Sequence, residues 1–226
     1  MFSDLELMEI QAEVLFQYDI SGRMEQINDP LKMNAPLFFL GRTKDGNVTK
    51  FHSALSNTKI DEIKKVIAKD STNVNLSKLI TILKSSTQSI RNLWIGPAYV
   101  FPDNINRPSS AIRMTKENRH LLLEGFPTIF EQLEWRQPCF GIIEDGFVVS
   151  VCCSARRSSS AAEASVETME EFRGRGYGVQ TAIAWANALQ EEGIIPLYST
   201  SWDNFSSQTI AGKLKLYSYG VDFHIS

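Results

Sequence analysis

The chain has 226 residues, 43% of them hydrophobic and 22% charged, enough for one large or two small globular domains with a full core. A net charge of −3 gives no general pull toward nucleic acid or anionic membrane. Residues 1–10 carry Asp4, Glu6 and Glu9, unlike a signal peptide, and no apolar run approaches the ~18 residues of a membrane helix, so a soluble cytoplasmic protein is expected.

Leu5, Met8, Val14, Leu15 and Tyr18 have a helical rhythm that predicts one helix over 5–18, ending before Ser21 and Gly22. Residues 36–41 and 48–51 flank Lys44-Asp45-Gly46-Asn47, a hairpin turn. Helices are predicted at 59–68 and 76–83. Pro97, Pro102 and Pro108 then punctuate the chain. They divide it into an N-terminal α/β region at 1–96, a linker at 97–110 and a second domain at 111–226.

The second domain opens with a short strand at 111–114. Thr115 is the expected N-cap of a helix carrying Leu121, Leu122, Leu123 and Phe126, and a second short helix is expected at 131–135. Residues 139–143 and 147–154 flank Glu144-Asp145-Gly146, a second hairpin. Cys152 and Cys153 are adjacent, so on a strand they point to opposite faces and are poorly placed to bridge each other. With Cys139 they make an odd count without metal-ligand spacing, which predicts reduced thiols and no metal.

The chemistry concentrates in residues 161–192, AAEASVETMEEFRGRGYGVQTAIAWANALQEE. A strand is expected over 161–169. Gly174, Gly176 and Gly178 then allow a sharp turn close to a ligand, and Val179, Ala182, Ile183, Ala186 and Leu189 form a helical stripe closed by Gly193. Free N–H groups at the start of that helix, with Arg173 and Arg175 beside them, make a phosphate cradle. The glycine spacing is not the dinucleotide fingerprint, and no Gly-Lys-Ser/Thr follows for a nucleoside triphosphate. A further strand over 196–202 leads to Asp203 or Asn204 as helix cap, then to Ser207, Ile210, Ala211 and Leu214 on one face. Strand, helix, strand, helix implies two parallel strands joined by a right-handed crossover.

Arg173-x-x-Gly176-x-Gly178 resembles the Gln/Arg-x-x-Gly-x-Gly/Ala signature of the GNAT acyltransferases, in which this loop holds the pyrophosphate of acetyl-CoA. The element order from residue 111 is similar to the GNAT core. PCFGIIEDG, VVSVCCSAR, AAEASVET, FRGRGYG and PLYSTSWDN are further similar to the zwittermicin-resistance-type branch. The resemblance implies an α/β (α+β) fold: a mixed central sheet whose two parallel strands splay apart, flanked by helices, beside an N-terminal α/β half. It implies that the pantetheine arm of acetyl-CoA lies between the splayed strands, served by Val166, Glu167, Thr168 and Met169, the loop Arg173, Gly174, Arg175, Gly176, Tyr177 and Gly178, and Asn204 and Ser207.

The reaction such a site performs is N-acetylation, with direct transfer to a primary amine of a small-molecule acceptor. That amine arrives largely protonated, with an intrinsic pKa of ~10.4, so a base is needed. Glu163 and Glu167 lie ~13 Å apart on one face of their strand as candidate bases, and N–H groups beside 167–169 as an oxyanion site. Ala211 stands where many GNAT members carry a tyrosine acid, and Lys215 where a glycine usually closes the helix. Tyr198 and Tyr217 remain as candidate acids. The tail after Leu216 is long enough for one strand, so the N-terminal half or a second copy in a homodimer would cover the sheet edge. A CoA-binding module without turnover, or a transferase of a larger acyl group, are the other readings.

Overall fold

The computed structural model describes residues 2–69, 74–85, 92–103, 105 and 107–226. They form two compact units, Met1–Ala98 with Tyr219–Ser226, and Tyr99–Ser218. Residues 104 and 106 of the proline-punctuated stretch lie outside the described residues.

In the first unit, helix α1 (Asp4–Leu15) starts at a reciprocal cap. The Glu6 N–H donates to the Ser3 hydroxyl at 3.2 Å, and the Ser3 N–H donates to the Glu6 carboxylate at 2.7 Å. The helix expected over 5–18 stops at Leu15, because Phe16–Tyr18 (β1) pairs antiparallel with Met24–Ile27 (β2). Apolar spacing alone did not separate the last helical turn from a three-residue strand.

Strands β3 (Phe38–Thr43) and β4 (Gly46–Phe51) form the predicted hairpin. Helices α2 (Asn57–Lys69) and α3 (Leu76–Lys84) follow, then β5 (Leu93–Val100). The C-terminal strand β11 (Tyr217–Ile225) enters between β3 and β5. Ile60, Ile63 and Ile67 on α2 and Leu79 and Leu83 on α3 bury against Phe38, Leu40, Phe51, Phe223 and Ile225.

A polar knot is buried on the α1 side. The Gln11 amide donates to Asp222 at 2.8 Å, the Trp94 indole donates to the other Asp222 oxygen at 2.8 Å, and the Tyr219 hydroxyl donates to Gln11 at 2.8 Å. Gly41 and Gly220 let α1 come this close. A Cβ at Gly41 would clash with Met8 Cγ, and one at Gly220 would meet Met8 Cε at 2.7 Å and clash with the Arg42 carbonyl oxygen of β3. Gly41→Ala is therefore expected to lower stability by about 1–3 kcal/mol through overpacking, read as a lower midpoint in urea unfolding with unchanged slope.

The second unit runs β6 (Ile112–Arg113), a 3₁₀ turn (Arg119–Leu122), α4 (Pro127–Gln132), β7 (Cys139–Glu144), β8 (Phe147–Arg157), β9 (Ala161–Thr168), α5 (Tyr177–Glu191), β10 (Ile195–Ser199) and α6 (Phe205–Leu214). Its strands lie in the order β10-β9-β8-β7-β6. The β9–β10 pair is parallel and the rest are antiparallel, the mixed sheet that was expected. The β7–β8 turn has φ 49° at Asp145 and 88° at Gly146, the doubly left-handed hairpin that Asp-Gly favours.

Two helical expectations need correction. Thr115 caps no helix; its N–H donates to the Asn118 side chain at 2.7 Å, and that local turn delays helical backbone to a short 3₁₀ segment. The helix expected at 131–135 starts earlier, because Pro127 presets φ at its first turn.

The sheet has an apolar cluster on each face. One gathers Cys152, Ala162, Ala182, Trp185, Leu189 and Tyr198 with α5 and α6. The other gathers Cys153, Cys139, Val151, Met114, Leu122 and Ile129 with α4. All three cysteines are buried free thiols, and Cys152 and Cys153 face opposite ways as their adjacency required. Among the described residues no helix is long and apolar enough to cross a membrane.

Candidate functional site

The site grows from the way β9 parts from β10. The two strands pair only over Ala161–Glu163 against Ile195–Leu197, so the rest of β9 has an open edge. Which backbone groups face that edge follows from the other neighbour. The Met169 N–H donates to the Val149 carbonyl at 3.0 Å, and β8 pairs Thr168 with Ser150 and Glu167 with Val151. Antiparallel pairing alternates, so Glu167 and Met169 direct their backbone groups at β8, and Val166 and Thr168 direct theirs into the opening. Of the N–H groups at 167–169, that of Thr168 therefore faces the opening, and those of Glu167 and Met169 are directed at β8.

Past β9 the chain makes a brief 3₁₀ turn, Glu170–Phe172, and enters the glycine loop. Gly174 and Gly176 have φ 81° and 83°, a left-handed backbone that glycine adopts without strain, and a Cβ at either would meet nothing within 4 Å. Gly178 serves packing instead: a Cβ there would lie 3.1 Å from Ile210 Cδ1 and 3.3 Å from Val166 Cγ1. Gly176 is the N-cap of α5 and supplies no side-chain acceptor, and the first turn holds no acidic residue. The leading N–H groups are thus left for a ligand, with the positive end of the helix dipole behind them. Helix α6 begins beside this region on Asn204, whose side chain accepts the Ser207 N–H at 3.0 Å.

These parts enclose a cavity of about 740 Å³. Of the residues expected to hold a cofactor, Val166, Glu167, Thr168, Met169, Arg173, Gly174, Gly176, Tyr177, Gly178, Asn204 and Ser207 line it. Arg175 does not: its guanidinium stacks over the Phe172 ring at 4.9 Å and donates to the Glu171 carbonyl at 3.4 Å. Arg173 turns back, its Nε donating to the Thr168 carbonyl at 3.3 Å. Tyr177 is anchored by its hydroxyl on the Glu144 carboxylate at 2.5 Å, which raises the phenol pKa. Gly125, Phe126, Ser206, Ile210 and Lys213 also line the cavity, and sequence reasoning had assigned them no ligand role. Ser206, Ile210 and Lys213 follow the i, i+4, i+7 rhythm of one α6 face, the signal that could have found them.

The structure separates the two candidate bases. Glu167 is exposed at the cavity wall. Glu163 is only 3% exposed and is not part of the lining. Burial raises its pKa, opposed by the hydrogen bond that the Ser199 hydroxyl donates to Oε1 and by the charge of Arg156. Its Oε2 has no hydrogen-bond partner among the described residues. The candidate acids fall outside the lining as well. Tyr198 is buried, its pKa pushed up to about 12 chiefly by that burial, and its hydroxyl bonds to the hydroxyl of Ser207, which does reach the cavity. Tyr217, on β11, is not among the lining residues. Ala211 is buried in the α5–α6 cluster, and Lys215 closes α6 with φ 54°, the left-handed conformation a glycine would take without strain.

Residues 108–219 match the GNAT acetyltransferase family model. An acetyltransferase of the GNAT family from Novosphingobium aromaticivorans DSM 12444 has a similar structure, with TM-score 0.50 and 14% identity over 61% of this chain and 66% of its own. A GCN5-related N-acetyltransferase-like protein from Streptococcus suis 89/1591 is similar over 99% of this chain and 100% of its own, with TM-score 0.50 and 16% identity. At such identities the likeness shows the fold. No curated protein matches the chain.

Proposed function

We propose that this chain, whose second unit has the GNAT acetyltransferase fold, is an acetyl-CoA-dependent N-acetyltransferase acting on a primary amine of a small molecule. The observation that carries the reading is the cavity at the parting of β9 and β10, closed at one end by an unshared helix N-terminus and two left-handed glycines. The cradle fits a pyrophosphate: Gly174 and Gly176 leave open space where a side chain would stand, and Arg173 adds a positive charge. The Val166 and Thr168 backbone groups fit the amides of a pantetheine arm as an added strand would.

Bound acetyl-CoA would supply an activated thioester. The remaining work falls to the chain. The Thr168 N–H is placed to polarise an acyl oxygen at the open edge of β9. The Glu167 carboxylate, at the cavity wall, takes the proton of the incoming ammonium directly or through water. Tyr198 returns a proton to the departing side through the Ser207 hydroxyl, the α6 group that faces the cavity and touches the phenol. The zwittermicin-resistance-type branch and a cytoplasmic location belong to the same proposal, resting on the sequence runs given above and on the three free thiols.

Calorimetric titration with acetyl-CoA, then a thiol-release screen over primary amines, tests the reading. Micromolar binding and release of CoA thiol that depends on an added amine are expected. Binding without turnover on any amine would favour a CoA-binding module, and turnover only with longer acyl donors a transferase of a larger group. Absence of binding would sink the reading.

A further inference from the structure

The cavity is ordered along α6. At its start, Ser207 meets Tyr198 of β10, on the side where the two strands part. One turn later Ile210 meets Gly178, the last glycine of the cradle. Another turn on, about 4.5 Å further along the axis, stands Lys213. Among the described residues that line the cavity, Arg173 and Lys213 are the only cations. Arg173 is drawn back onto the Thr168 carbonyl at the loop. Lys213 is exposed, takes part in none of the ion pairs among the described residues, and lies in the last turn of α6, where a cation also suits the dipole. Arg107 donates to the Lys213 carbonyl at 2.8 Å and adds a second positive charge at that helix end.

Coenzyme A carries two anionic centres: the pyrophosphate, and a 3′-phosphate one ribose away. If the glycine cradle holds the first, the second must lie beyond it, away from the pantetheine side. The lysine one turn past the cradle occupies that place. We infer that Lys213 binds the 3′-phosphate and makes the site select coenzyme A over its dephosphorylated form. This rests on the acetyl-CoA reading and adds to it a residue that discriminates between two ligands sharing the same pantetheine and pyrophosphate.

The test is calorimetry of the full chain with CoA and with 3′-dephospho-CoA, on the wild type, Lys213→Met and Lys213→Arg. The wild type is expected to bind CoA about tenfold more tightly, the scale of one exposed charge-assisted contact, with the preference shrinking at high salt. Lys213→Met should lose that preference by weakening CoA alone, and Lys213→Arg should keep it. Exposure of Lys213 means that neither change disturbs the fold, which a thermal melt checks. Equal wild-type affinity for the two ligands, or equal loss of both in Lys213→Met, would overturn the inference and leave acetyl-CoA binding intact. No binding of either ligand to the wild type would instead remove the reading beneath it.

Discussion

Gly176→Trp is expected to abolish detectable binding of acetyl-CoA and CoA, a loss of more than about a hundredfold, in a chain that still melts cooperatively. The position combines two demands. Its φ of 83° is one that L-residues reach only at a cost of roughly 1–2 kcal/mol. Its missing Cβ opens onto space with no protein atom within 4 Å, so an indole there would stand in the cradle and not in the core. The strain costs stability modestly, and the bulk costs binding. Gly178→Val makes the contrast. Its Cβ would press on Ile210 and Val166 at 3.1 and 3.3 Å, so it should lower the melting temperature together with binding. Calorimetry and thermal melts on the two variants separate the roles. Binding to Gly176→Trp at near wild-type affinity would show that the loop is only a turn.

This difference between glycines marks what a single sequence can reveal. The glycine turn and the helix after it were legible because they are local: three alternating glycines, an arginine and a helical stripe lie within 32 residues. The parting of β9 from β10 was expected only through the family resemblance, because where parallel pairing stops leaves no local trace in the residues. Register also decided which N–H groups face the opening: reading the residues had offered 167–169 without distinction, and the Met169 N–H is already bound to Val149. Gly125 and Phe126 reach the cavity from about 35 residues before β9, where spacing says nothing about proximity. The C-terminal strand was foreseen as one strand, but its insertion between β3 and β5 is a non-local pairing that periodicity does not encode. Arg175 shows what the sequence leaves open: it marks a cation in the loop, and only the structure gives its direction, over the Phe172 ring.

The two glutamates of β9 should part just as clearly in experiment. They share a strand face and were equivalent by sequence, yet one is at the cavity wall and the other is buried. With an amine found by the thiol-release screen, Glu167→Gln is expected to lower kcat by about a hundredfold or more with little change in KM for acetyl-CoA, the signature of a lost base. Glu163→Gln should leave turnover within a few-fold and change stability instead. Burial raises the Glu163 pKa, so the folded chain keeps that proton at a pH where the unfolded chain has released it. Stability then falls as pH rises from the ordinary carboxylate range through the raised value, and levels off above it. Glutamine cannot ionise, so the fall in melting temperature with pH above the ordinary carboxylate range should flatten in the variant, read as thermal melts across a pH series. Wild-type turnover in Glu167→Gln would remove that residue as base. Loss of turnover in Glu163→Gln with an unchanged melting curve would move the base to the buried carboxylate, and the Ser199 hydrogen bond would then hold a catalytic group in place.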